Sequence, residues 1–174
     1  QQPAAEDYGF IHYSRLIFPA SDKSFVRLRE QSGRDDTLTL SGSGQKVHIV
    51  ARRIHPKLSD FSGISKDNFT ARLYQGKPFY GTDNTIDKSV FALERITLNG
   101  QTVPAAELQG LFSPDFAATA RDSQVYDRWE AYYRRSDKTL YLFSRQGSGA
   151  GSFDVCFIFK DGKFQRRYLW NAAL

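Results

Sequence analysis

Methionine is absent from the 174-residue chain, cysteine occurs once, histidine three times and proline six times. Each scarcity excludes something. The single cysteine, Cys156, cannot close an internal disulfide, so the fold rests on packing and not on covalent staples. Three histidines without an HxH, HExxH or CxxC spacing supply no zinc motif, and we expect no metal and no cofactor. No apolar run approaches the ~20 residues that cross a bilayer as a helix, so no membrane span is expected. Blocks of single-sign charge are missing as well. Residues 1–112 hold 14 basic and 12 acidic side chains and residues 113–174 hold 10 and 7, for +5 overall. That balance permits anionic partners, but with no basic arm it argues against nucleic acid.

The absent methionine includes the initiator. The chain begins Gln1-Gln2-Pro3-Ala4-Ala5, a polar, small-residue start of the kind signal peptidase leaves behind. The expectation is an exported protein, periplasmic or extracellular, with its signal peptide removed; an artificially trimmed start is the other reading. The sequon Asn68-Phe69-Thr70 accepts a glycan only in a eukaryotic secretory route.

What is present is ordinary in amount and telling in pattern. Hydrophobic residues at 40% and charged residues at 25% exclude disordered, collagenous and coiled-coil chains. The length suits one compact unit, and we expect a disordered tail over 1–7 and a single β-rich domain over 8–174. Apolar residues alternate or cluster in runs of four to eight bounded by Gly, Asp, Asn, Ser and Pro, the mark of strands. Such runs cover 8–18, 24–30, 37–40, 45–54, 69–74, 90–98 and 101–103. Asn99-Gly100 is a strong hairpin signal because both positions tolerate positive φ. Pro104 suits a first helical position, and Leu108, Leu111 and Phe112 are spaced for a helix over 105–112. A second short helix is expected from Ser113, with Asp115 favourable beside its positive end.

The last fifty residues read as a four-stranded meander over 125–135, 138–145, 152–160 and 163–170. The fold class expected is therefore α+β, mainly antiparallel β, with one or two short helices mid-chain. An Asp161-Gly162 turn opposes Phe159 to Phe164, Phe157 to Arg166 and Phe153 to Trp170. One face then carries Phe153, Val155, Phe157, Phe159, Phe164, Tyr168 and Trp170, with Arg166 among them.

Chemistry is thin. Gly147-Ser148-Gly149-Ala150-Gly151 resembles a phosphate cradle in composition, yet it leads into a strand and not a helix, so a hairpin loop is the better reading. Cys156 lies mid-strand without an activating neighbour and reads as a small hydrophobe. His12 and His48 fall in strands, and His55 in a loop. Asp and Glu residues fall mostly in turns; Glu94, Asp127, Glu130 and Asp154 fall in strands, where ion pairing explains them more simply than a two-carboxylate hydrolase. One signal stands out. Arg128, Tyr132, Tyr141, Phe143 and Arg145 share one face of the 125–145 hairpin, and Arg166 and Arg167 lie near a strand end. Tyr and Arg are favoured at binding surfaces for their area and directional donors. The candidate binding residues are thus Arg128, Tyr132, Tyr141, Arg145, Arg166 and Arg167, with no catalytic residue named. The function expected is non-enzymatic binding of another protein, an inhibitor or immunity-type protein being one form. The alternatives are a small envelope- or carbohydrate-directed hydrolase and a basic nucleic-acid binder.

Overall fold

The computed structural model describes residues 19, 21–34, 36–114, 116, 129–146 and 152–171, the last two as backbone. The expected tail over 1–7, the strand over 8–18 and residues 125–128 lie outside them. The strands are β1 (Phe25–Arg27), β2 (Arg29–Arg34), β3 (Thr37–Gly42), β4 (Gln45–Ile54), β5 (Phe61–Ser62), β6 (Leu73–Tyr74), β7 (Val90–Leu98), β8 (Gln101–Thr102), β9 (Trp129–Arg134), β10 (Thr139–Gln146), β11 (Phe153–Lys160) and β12 (Lys163–Asn171). Sheet I has the order β1-β9-β10-β11-β12 and sheet II the order β2-β3-β4-β7-β8, while β5 and β6 pair apart.

The run over 24–30 is divided between the two sheets. Only Leu28 separates β1 from β2, and its N–H donates to the Ala131 carbonyl at 2.8 Å. The chain thus leaves sheet I and joins sheet II at one buried leucine.

Strand alternation then fills the space between the sheets. Sheet II turns Leu38, Leu40, Val47, Ile49, Ile96 and Leu98 inward, and sheet I turns Leu140, Leu142, Phe153, Val155, Phe157 and Phe159 inward, all in one core. Three phenylalanines of β11 are at most 1% exposed, so this strand is the centre of the apolar packing. A smaller core of Phe61, Ala71, Tyr74, Phe79, Val90 and Phe112 supports the segment between β4 and β7.

The chain is mostly antiparallel sheet, and among the described residues no helix reaches seven residues. The α+β expectation is corrected accordingly. Over 105–112 the chain makes a single 3-10 turn, Ala105–Glu107. Gly110 takes a φ of 82°, ending any helix there. Leu111 and Phe112 instead enter extended bridges to Tyr80 and Ala92, which buries the same apolar side chains without helical backbone. Ser113, expected as a helix N-cap, has a φ of 49°. The strand expected over 69–74 is also reduced to β6, with Phe69 exposed and Tyr74 buried.

Sheet I departs from a plain meander in two ways. β1 adds at the edge of β9, and β12 carries a bulge. Asp161 and Gly162 have φ of 51° and 75°, both positive as a type I′ turn requires, and Phe159 faces Phe164 as expected. The register then shifts: Gln165 is the extra residue, Ile158 faces Arg166 and Phe157 faces Arg167. Beyond the bulge the side chains of Arg166 to Leu169 change face. Tyr168 and Arg166 therefore leave the aromatic inner face, and Phe153 opposes Asn171 instead of Trp170.

Candidate functional site

The outer face of sheet I is built by two rows of cross-strand neighbours. One runs Arg27, Tyr132, Tyr141, Ile158, Arg166, and the next Glu130, Phe143, Cys156, Tyr168. Tyr141 and Phe143 stack with ring centroids 6.2 Å apart and planes 10° from parallel. Tyr132 meets Phe143 edge-on at 6.3 Å, and Phe25 meets Tyr141 edge-on at 5.7 Å. The Arg134 guanidinium sits 5.0 Å from the Phe25 ring centre, a cation–π contact. Phe25, Tyr132 and Cys156 are buried, Tyr141, Phe143 and Ile158 are half-buried, and Tyr168 is 49% exposed.

Charge is threaded through these rings in defined pairs. Arg27 contacts Glu130 at 2.9 Å, and the Tyr132 hydroxyl donates to the other Glu130 oxygen at 3.2 Å. Arg134 grips both oxygens of Asp137 at 3.0 and 2.6 Å. That hydrogen-bonded guanidinium pulls the Asp137 carboxyl down to about 2. Arg145 grips both oxygens of Asp154 at 2.8 and 3.2 Å. Arg166 differs, donating to the Tyr168 hydroxyl at 3.1 Å.

The face brings Tyr132, Tyr141 and Arg145 together as the sequence suggested; Arg166, expected on the inner aromatic face beside Phe157, is corrected, because the bulge turns it outward opposite Ile158. Arg128 lies outside the described residues. Arg167 is corrected: it faces the other side, where its guanidinium donates to the Glu107 carbonyl and its Nε stands 3.6 Å from the Glu107 carboxylate. It ties β12 to the turn after β8, a structural task. Sequence reasoning missed Phe25 and Arg27. Their i, i+2 spacing marks one strand face, but nothing in the sequence says that β1 joins β9.

Other candidates resolve as structural groups. Burial raises the Cys156 thiol to about 12, leaving it unionised near neutrality. His48 Nδ1 lies 3.1 Å from Thr39 Oγ1, and exposed His55 has Nδ1 3.2 Å from the Lys88 carbonyl. Among the described residues no three His, Cys, Asp or Glu side chains gather as a metal site. A cleft of about 370 Å³ at the β1 edge is lined in part by Asp22, Arg27, Glu130 and Tyr132. It holds two carboxylates, but the Ser24 N–H and hydroxyl lower Asp22, and Glu130 is engaged by Arg27 and Tyr132. The loop over 147–151, His12 and Asp127 lie outside the described residues.

No protein-family model matches this chain, and neither does any curated protein or solved structure.

Proposed function

We propose that this chain is an exported, non-enzymatic binding protein that recognises another protein through the outer face of sheet I. The observation that carries the reading is the half-exposed Tyr141–Phe143 stack set in a field of arginines. Rings held by their neighbours offer large contact area at little entropic cost, and guanidinium groups add directional donors around them. Glu130 and Asp154 on the same face disfavour a polyphosphate partner, since each would repel its backbone.

The test is stoichiometric capture from the native envelope or secreted fraction with three baits: the wild type, Tyr141→Ser on this face, and Arg52→Ser on the opposite side of the molecule. One protein retained by the wild type and Arg52→Ser and reduced with Tyr141→Ser supports the proposal, provided circular dichroism shows both variants folded. No stoichiometric protein, or equal retention by all three, contradicts it.

A further inference from the structure

The β12 bulge has a consequence for what the partner must carry. Without Gln165 as the extra residue, the Asp161-Gly162 turn would oppose Arg166 to Phe157 and Tyr168 to Val155, both within the core face; with it, Arg166 opposes Ile158 and Tyr168 opposes Cys156 on the outer face. Bulges re-aim side chains, and they concentrate where a particular direction is needed. This one delivers an arginine and a tyrosine, both exposed, to the edge of the aromatic surface.

Four arginines occupy this face among the described residues. Arg27, Arg134 and Arg145 are each paired with a carboxylate of their own chain, namely Glu130, Asp137 and Asp154. Arg166 pairs with no carboxylate among the described residues and donates to the Tyr168 hydroxyl. In that contact the phenolic oxygen accepts, so its O–H remains free to donate, and the guanidinium keeps further N–H groups in its planar fork. Two donors on adjacent outward positions of one strand thus converge, and among the described residues no carboxylate accepts from either.

We propose that Arg166 and Tyr168 form a clamp for a carboxylate of the partner protein, an Asp or Glu side chain presented on an otherwise apolar surface. The assignment rests on the protein-recognition reading of this face. A carboxylate accepts from a guanidinium fork and a phenol together in charge-assisted bonds. The apolar surroundings follow from the neighbours, half-buried Ile158 and buried Cys156. Arg167 shows the local precedent: the adjacent arginine, sent to the other face by the same bulge, meets Glu107.

The test follows the arginine Nε–Hε resonances of the folded chain during titration with glutarate and, separately, inorganic phosphate. Arg166→Lys assigns the resonance. The expected result is a saturable shift of the Arg166 signal with glutarate, weakened about threefold or more by Tyr168→Phe, with the Arg134 and Arg145 signals unmoved. An unmoved Arg166 signal, equal movement of all the arginines, or indifference to Tyr168→Phe overturns the clamp. Tighter saturation by phosphate than by glutarate overturns it in favour of a phosphate-bearing ligand. Because this measurement needs no partner, it fails or succeeds separately from the capture experiment. With a captured partner in hand, Arg166→Met should weaken binding about tenfold, and wild-type affinity in that variant would overturn the clamp while leaving protein recognition standing.

Discussion

The outer faces of the two sheets answer the same solvent in different ways. Across sheet II the cross-strand row reads Thr39, His48, Thr97, Thr102, flanked by Thr37, Val50 and Arg95. Across sheet I the equivalent row reads Tyr132, Tyr141, Ile158, Arg166, flanked by Phe143, Cys156 and Tyr168. Both sheets bury their inner faces in one core, so the core makes the same demand of each. Sheet II shows what that demand leaves outside: hydroxyls, β-branched side chains and charges, which suit a pleated surface in water. The rings of sheet I exceed it. That difference between the two described faces is why we propose a binding role for the outer face of sheet I.

The sharpest test of this distinction within sheet I sets inner residues against outer ones. Phe157 is fully buried at the centre of β11, and Phe157→Ala should cost roughly 3–5 kcal/mol in chemical denaturation, as a large side chain deleted from a packed core does. Phe143→Ala on the outer face should cost about 1 kcal/mol, because a half-buried ring loses only part of its transfer energy. Equal costs would mean that the outer face is core after all.

A second contrast uses adjacent arginines. Arg167→Met removes the tie to Glu107 and should lower stability by about 1–2 kcal/mol, whereas Arg166→Met should stay within about 0.5 kcal/mol of wild type. The reverse order would undo the register across the Gln165 bulge.

Smaller effects refine the picture. Cys156→Ser places a hydroxyl in a buried site and should cost about 1 kcal/mol while leaving partner binding unchanged. In the folded wild type the thiol, raised to about 12 by burial, should resist alkylation at neutral pH and react only on unfolding. The smallest effect concerns acid. Asp137 is depressed from 3.8 to about 2 by Arg134, so its contribution is present above about pH 4 and is lost as pH falls through about 2. Wild type should therefore lose slightly more stability over that window than Asp137→Asn, the difference being small because the pair is partly exposed.

How far these features could be read from the sequence depends on how local their causes are. The turns at Asn99-Gly100 and Asp161-Gly162 were legible because positive φ is written into the residue types. The shared face of Tyr132, Tyr141, Phe143 and Arg145 was legible because alternation and one turn fix it. The bulge at Gln165 was not: no residue type there demands it, since one register turns Arg166 and the other Arg167 to the inner face opposite Phe157. The helix expected over 105–112 misled for a related reason, since Leu108, Leu111 and Phe112 are spaced for a helix but Leu111 and Phe112 are claimed by Tyr80 and Ala92 across the fold. The joining of β1 to β9 is a contact over more than a hundred residues and leaves no local mark.

The most direct measurement is hydroxyl-radical footprinting of the chain, free and with its captured partner. The account predicts protection of Tyr141, Phe143 and Tyr168 on sheet I with Val50 and His48 on sheet II unchanged. Protection centred on the sheet II row, or no difference at either face, would contradict it.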